Sequence, residues 1–554
     1  MNAMKKISNS ILLTLGILLP LVYLIGCREQ DFVQTTTSDV NMFSYLKTRP
    51  DSFSEFTAIL DKAGYEGFLD AYGAYTMFVP TNAGVKTYLT AINKTAATLT
   101  KEEAQGIAKI HIIRDTLTTK SFKDGKLPLV TMYGQYLLGG VSFANGTSSY
   151  SLNRQALVLE TNITTSNGIL HVIDNVLKPA TLTLAATLEK NTAYSIFTEA
   201  LKQTGYYDSL NVVDPDPDKR WTTVLAESNT ALGKAGFTTF DALKKRYSNT
   251  GNPRNKADSL NLYVAYHLLP GAKYLADIIT AQSHTTKVPL EVVTSKLDGQ
   301  TVLINDDDFN GIHEQGVELE RTLSDNAATN GVIHSSTGHF VSKVRKPTPV
   351  YWDVADFPEI RKLPAYYGKK NYDFIYGSVK DINWERSNFN LTYAYTTASN
   401  FSVYKNDYLM IPLGGPNRSV WVDLKTPMLV KGRYKVWVCY RFQKQSGGSV
   451  NICQGSVDGE MLPRPMAFTD TAPAGSEGEL EALGWKLYSD PGTDRNLPGR
   501  LLGIIDIKTT DRHTFRLTNI SGTQNNNNLD MVHFIPIDMP QTRPRFNRNG
   551  QLVP

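Results

Sequence analysis

Two stretches of the chain carry one pattern of apolar and polar positions. Residues 75–85 read YTMFVPTNAGV and residues 222–232 read TTVLAESNTAL: an apolar run, a polar triplet ending in Asn, and an apolar resumption. Each follows a helical pattern. In the first, Phe53, Phe56 and Leu60 fall at i, i+3 and i+7 and Gly64 closes the segment, predicting an amphipathic helix. YTMFVP is a short run of β-formers ended by proline, after which Thr81 or Asn82 can cap a further helix. GGVSFAN, ALVLETN and GILHVIDNVL predict strands separated by Gly and Asn turns, so the unit is α+β.

The landmarks recur in order. FSEFTAILDKAGYEGFL at Phe53 matches YSIFTEALKQTGYYDSL at Tyr194, an offset of 141 residues. Asn82 and Asn229 are offset by 147, His111 and His267 by 156, and NGILH at Asn167 and NGVIH at Asn330 by 163. Offsets that only grow mark small loop insertions in a second copy of one fold, so the chain contains a duplicated domain.

Beyond Lys346 the texture changes. KPTPVYWDVADFP predicts a linker, and five of the six Trp (352, 384, 421, 437, 485) follow it. SVWVDLKTPMLVKGRYKVWVCYRF holds two alternating runs, with Tyr434, Val436, Val438, Tyr440 and Phe442 on one face. LLGIIDIK, HTFRLTNI and LDMVHFIPI continue the strand pattern, predicting an all-β sandwich.

Composition and charge narrow the reading. With 554 residues, 41% hydrophobic and 20% charged, the chain can bury several ordinary cores. Its net charge of +4 offers no electrostatic footprint for nucleic acid. The N-terminus carries MKK at Met4 and an apolar run from Ile11 to Ile25 ending in LIGC, which resembles a bacterial lipoprotein signal. The resemblance implies cleavage before Cys27, acylation of Cys27 and, with Arg28 rather than Asp following, the outer membrane of a Gram-negative cell. Several acyl chains give stable anchoring. Cys439 and Cys453 flank an SGG turn that would bring them close as a hairpin, leaving a disulfide and two buried thiols both open.

TMFVPTNAGV resembles the first signature of the fasciclin-like adhesion domain, and NGILHVIDNVL, Asn167 to Leu177, its second. His111 stands where the family has a Tyr-His pair, with Ile110 replacing the Tyr; the second copy keeps Tyr266 and His267. The second copy departs elsewhere: Glu227 stands where the first has Pro80, and SSTGHF leaves Asp174 without a counterpart. The resemblance covers about residues 38–347 and implies a compact β-wedge with helices, used in adhesion, with no catalytic residues to carry over. WVDLKTPMLVKGRYKVWVCY and LDMVHFIPID resemble galactose-binding-like jelly rolls, common as carbohydrate-binding modules.

The organisation read from the sequence is therefore a signal at 1–26, a tether at 27–37, fasciclin-like domains at 38–179 and 180–347, and a jelly roll at 348–554. Thr81, Asn82, Asn229, His111, His171, His267 and His334 are expected as structural motif residues, the histidines as satisfied core groups in strand-like segments. Trp352, Trp384 and Trp485, near polar turns, are the candidate ligand contacts, because aromatic faces pack against sugar C–H faces. Trp421 and Trp437, mid-strand, are expected in the core. DDDFNGIHEQGV from Asp306 begins like a calcium loop but ends on Val317 at the twelfth place, so it reads as a polar hairpin turn. NNNN at Asn525–Asn528 reads as a solvated loop.

No common catalytic or nucleotide-binding motif occurs, and no cofactor or metal is expected. The function expected is a non-catalytic, lipid-anchored envelope protein for adhesion and glycan binding, with polysaccharide, an outer-membrane transporter or a surface protein as partners. An accessory subunit of a glycan-uptake complex is the alternative. A glycoside hydrolase using carboxylates such as Glu385, Asp423, Asp458 or Asp506 is the third reading.

Overall fold

The computed structural model describes residues 40–71, 73–144, 147–309, 312–398, 403–414, 418–442, 449–489, 497–523 and 527–553. Cys27, the signal and the tether lie outside the described residues. The chain divides into two compact units between Pro179 and Ala180.

In the first unit the helix Pro50–Ala63 starts on a proline and ends at Gly64 in the left-handed conformation (φ 75°), burying Phe53, Phe56, Ile59 and Leu60. A seven-stranded sheet follows the order 112–113, 75–80, 168–173, 156–165, 147–152, 136–144 and 125–130. Next to its 112–113 edge the two motif strands pair in parallel, from Tyr75 opposite Gly168 to Pro80 opposite Ile173. The first motif strand is buried on both faces: Met77 and Val79 pack beneath the helices, and Phe78 packs in a second cluster with Ile173 and Leu177. That two-sided burial is why the strand reads as a continuous apolar run.

The polar motif residues hold the helices to this sheet. Thr81 caps the helix Asn82–Ala91 by accepting from the Gly84 N–H. Asn82 instead bolts down the preceding helix: it accepts from the Glu55 N–H (2.9 Å) and donates to the carbonyls of Pro50 and Asp51 (3.0 Å each). Asn167 accepts from the Met42 N–H and donates to the carbonyls of Leu69 and Ala71. The adjoining Gly168 is required sterically, since a Cβ there would stand 2.0 Å from the Tyr75 carbonyl oxygen.

The second repeat rebuilds these contacts. Thr222–Glu227 pairs in parallel with Gly331–Ser336. Asn229 accepts from the Ile196 N–H and donates to the Thr192 carbonyl; Asn330 accepts from the Leu184 N–H and donates to the carbonyls of Leu210 and Val212. A Cβ on Gly331 would meet the Thr222 carbonyl oxygen at 1.9 Å. His171 and His334 lie in strands, each facing a carbonyl through Nε2 (Leu117, 2.9 Å; Lys273, 2.7 Å) and accepting a backbone N–H at Nδ1. All four motif histidines are fully buried.

His111 and His267 correct the sequence expectation. They cap the C-termini of the helices Lys101–Ile110 and Ser259–Tyr266 rather than lying in strands. Each ring turns back on its own helix, Nδ1 meeting the carbonyl of Ile107 (2.7 Å) or Tyr263 (2.8 Å). In the first repeat His111 Nε2 accepts the Leu177 N–H (3.0 Å), and burial pushes this histidine down to about 4. In the second, the Glu227 carboxylate enters where Pro80 stands in the first. It receives His267 Nε2 (2.9 Å), the Phe340 N–H (2.9 Å), Tyr263 Oη (2.8 Å) and His339 Nδ1 (2.7 Å). Both nitrogens of His267 thus face oxygen atoms, the Tyr263 carbonyl and the Glu227 carboxylate. Burial alone would raise the Glu227 pKa, but His267 and His339 outweigh it and hold the carboxyl at about 2.

The remaining strands form a two-sheet sandwich in the same compact unit as the second repeat. Ser283 of that repeat donates to Asp511 of the sandwich (2.7 Å), and Lys431 pairs with Glu291. One sheet is eight-stranded and the other five-stranded. Trp384, Tyr393, Tyr434, Val436, Tyr440, Phe515, Leu517 and Phe534 fill the space between them. Trp437 is fully buried on the other side of its sheet, donating from Nε1 to Gln541. The hairpin expected between Cys439 and Cys453 is not formed: strand Gly432–Tyr440 belongs to the eight-stranded sheet and Ile452–Val457 to the five-stranded one. Cys453 joins the inter-sheet core while Cys439 joins a cluster on the opposite face of its sheet. Both are free, and burial pushes each thiol up to about 12. Among the described residues no helix is long and apolar enough to cross a membrane.

Two outcomes follow for stability. Asn330→Ala strands two carbonyls and an N–H, so calorimetry of the intact chain should show a loss of about 1–3 kcal/mol. Glu227→Gln removes a fully buried carboxylate on which four donors converge and should cost about 3–5 kcal/mol at neutral pH. Because the folded pKa of Glu227 lies below its unfolded value, its contribution is complete above about pH 4.5 and fades as pH falls toward 2. The gap between native and Glu227→Gln melting temperatures should therefore narrow across that window.

Candidate functional site

Alternation along the five-stranded sheet decides which side chains face out. Val422 and Leu424 point into the core, as do Phe515 and Leu517, so Trp421, Asp423, Thr514, Arg516 and Thr518 share the outer face. Register aligns them in rows: Asn383, Asp423, Arg516 and Ser456 in one, Trp421, Thr518 and Gln454 in the next. Arg516 meets Asp423 through two bonds of 2.6 and 2.7 Å while its guanidinium lies over the Trp421 ring at 4.3 Å. The bidentate pair raises the Arg516 pKa and fixes the side chain in plane. The result is a rigid outward patch combining an aromatic ring, a guanidinium and the amides of Asn383 and Gln454.

Trp421 is thus half-buried on an outer face, correcting its expected place in the core. The alternation that buries Val422 and Leu424 carried the signal, since residues on either side of a core position must face outward.

The three tryptophans proposed from sequence are not brought together. Trp384 is fully buried and donates from Nε1 to the Phe389 carbonyl (2.9 Å), so it is a core residue with no face for a ligand. Trp352 is half-buried against the inter-sheet core on the strand Val350–Asp353. Trp485, also half-buried, lies four strands away in the same sheet, with the Arg500 guanidinium over its ring at 4.6 Å. The motif residues Thr81, Asn82, His111, His171, Asn229, His267 and His334 hold helices and strands together as described above.

Other sequence candidates are engaged locally. Asp458 meets His513 Nδ1 (2.6 Å) and the Thr514 N–H, Asp506 pairs with Lys508, and Glu385 accepts from the Val420 N–H. Asp307–Phe309 and Ile312–Glu314 pair as a small hairpin, with residues 310–311 outside the described set. Among the described residues no group of three or more His, Cys, Asp or Glu side chains could hold a metal ion. Asn527 and Asn528, expected in a solvated loop, are buried and donate to the carbonyls of Leu413 and Arg441; Asn525 and Asn526 lie outside the described residues.

Comparison with known proteins places the two repeats. The fasciclin domain model matches residues 51–179 and 192–335. Human periostin is 30% identical over 166 residues, 28% of this chain and 19% of periostin's own length. Among solved structures, a FAS1 domain pair from the insect cell adhesion molecule fasciclin I is 17% identical over 54% of this chain and 96% of its own, with a TM-score of 0.25. A family 35 carbohydrate binding module from Clostridium thermocellum is 12% identical over 34% of this chain and 98% of its own, with a TM-score of 0.18. Residues 51–179 and 192–335 are fasciclin domains, and the chain is a tandem-fasciclin protein that continues into a β-sandwich.

Proposed function

We propose that this chain is a non-catalytic envelope protein, lipid-tethered through Cys27 to the outer membrane, whose fasciclin domains serve adhesion and whose sandwich binds a surface glycan. The observation that carries the glycan reading is the outer face of the five-stranded sheet. There Trp421, Arg516 and Asp423 are locked in one geometry beside the exposed Asn383 and the partly buried Gln454. A sugar needs an apolar surface for its C–H face and fixed donors and acceptors for its hydroxyls, and a preorganised patch supplies both with little ordering cost. The sugar-directed role expected of Trp352, Trp384 and Trp485 passes to Trp421 on this reading.

Affinity electrophoresis of the intact chain through gels holding neutral polysaccharides should show retardation by at least one of them. Trp421→Ala should weaken that binding about tenfold or more, the loss expected of a central aromatic contact. Retardation unchanged by the substitution would remove the site. If no glycan retarded the native chain, the ligand would have to be a protein, and crosslinking on intact cells would identify it. Cys27→Ala should move the protein from the membrane to the soluble fraction; unchanged fractionation would overturn the lipid tether.

A further inference from the structure

One edge of the strand Asn528–Pro536 serves two partners. Asp407–Met410 pairs with Asn528 and Leu529, and Val350–Asp353 takes over from Met531 onward. Four carboxyl groups gather at the handover: Asp353, Asp356, Asp407 and Asp530. Asp407 and Asp530 are buried, and Asp353 is nearly so.

Two cations meet these four acids, and both are spent on the same half of the cluster. Lys405 Nζ lies 3.3 Å from Asp353 and 3.4 Å from Asp356, and Arg361 pairs with Asp356, which also accepts from the Tyr367 hydroxyl. The other half has neutral donors. Asp407 Oδ2 accepts from the Tyr393 hydroxyl (2.7 Å), and Asp530 Oδ2 accepts from the Tyr404 N–H (3.0 Å) and the Tyr488 hydroxyl. Among the described residues Oδ1 of Asp407 and Oδ1 of Asp530 have no hydrogen-bond partner. A buried carboxyl with an orphan oxygen and no cation in contact is costly as an ion and much less so as a neutral acid. Burial, and then the Asp353 charge, push Asp407 up to about 8; burial also raises Asp353 to about 6 and lifts Asp530 well above the usual carboxylate range. Burial works the same way on Asp356, but Arg361 and Lys405 outweigh it and hold that group low.

A strained turn joins this cluster to the C-terminal hairpin. Lys405 and Asn406 are both left-handed (φ 51° and 65°), a conformation they keep only where their surroundings hold them. The hairpin, Arg545–Phe546 against Leu552–Val553, supplies that hold: Phe546 packs on the Tyr404 ring at 5.4 Å, and the Arg548 carbonyl accepts from Asn406 Nδ2 (3.1 Å).

We propose that the sandwich carries an acid-stabilised latch: Asp407 and Asp530 hold protons in the closed fold, and their ionisation as pH rises loosens the Tyr404–Asn406 turn and releases the C-terminal hairpin. The sign follows from the raised carboxyls. A group whose folded pKa exceeds its unfolded value stabilises the fold fully below the unfolded pKa and loses that contribution as pH climbs through the folded one, here from about 4 to about 8. The latch is tightest in acid, opposite in sign to Glu227. On the far side of Asp530, burial pushes the Cys439 thiol up to about 12, Lys486 down to about 8 and His533 well down, so none of the three changes charge in the folded state across the interval tested.

The test is hydrogen exchange of the intact chain read by mass spectrometry on residues 403–410 and 545–553, corrected for the intrinsic pH dependence of exchange. Between about pH 5 and pH 7 the protection of both segments should fall about tenfold per pH unit for each proton held in the closed state. Asp407→Asn, which keeps an acceptor for Tyr393 but cannot ionise, should flatten that slope by about tenfold per unit. Asp506→Asn, at the exposed pair with Lys508, should leave it unchanged. Protection independent of pH in the native chain would overturn the proposal whether or not the variant folds, and so would an unaltered slope in Asp407→Asn. If calcium restored protection at the upper end of the scan, the orphan oxygens would be seating a cation instead of protons, and the latch would again be refuted.

Discussion

The parallel pairing of two distant motif strands is the constraint on which each fasciclin domain depends. A parallel pair needs a long crossover, and here more than half of the domain is that crossover, from Tyr75–Pro80 to Gly168–Ile173. The Asn-Gly dipeptide at the start of the returning strand performs two tasks at once. Glycine admits the neighbouring carbonyl where a Cβ could not fit, and asparagine ties the start of the helix Met42–Thr48 to the turn that precedes the sheet. The same division of labour at Asn330 and Gly331 explains why the dipeptide persists in a repeat whose other residues have drifted.

Drift in the second repeat is compensated rather than merely tolerated. A histidine that closes a helix must find a partner for Nε2. In the first repeat a backbone N–H supplies it; in the second that N–H, on Phe340, turns to Glu227 instead. One carboxylate then satisfies the displaced N–H, both imidazoles and a tyrosine. A buried charge survives only when its neighbours supply such a complete set, and the polar residues near His339 are what make Glu227 acceptable.

The repeats were legible because helix period, strand run and cap recur with their spacing, and local chemistry enforces all three. What escaped reading was what depends on partners far along the chain. His111 and His267 follow apolar residues whether they end a helix or lie in a strand, although for His111 a local signal, the Thr100–Glu103 capping box, does mark the helix. Cys439 and Cys453 flank a turn-like segment, but a sandwich uses such segments to cross between sheets as readily as to reverse within one. Trp384 sits near polar residues and still fills the core, because proximity to a turn does not set the direction of a side chain. The face of Trp421 was readable from its neighbours Val422 and Leu424, which alternation buries on the other side.

The charges on the outer face of the five-stranded sheet are spent within the patch itself. On the five-stranded sheet Arg516 and Asp423 neutralise one another, so the patch presents dipoles and an aromatic surface, chemistry suited to uncharged hydroxyl-rich ligands.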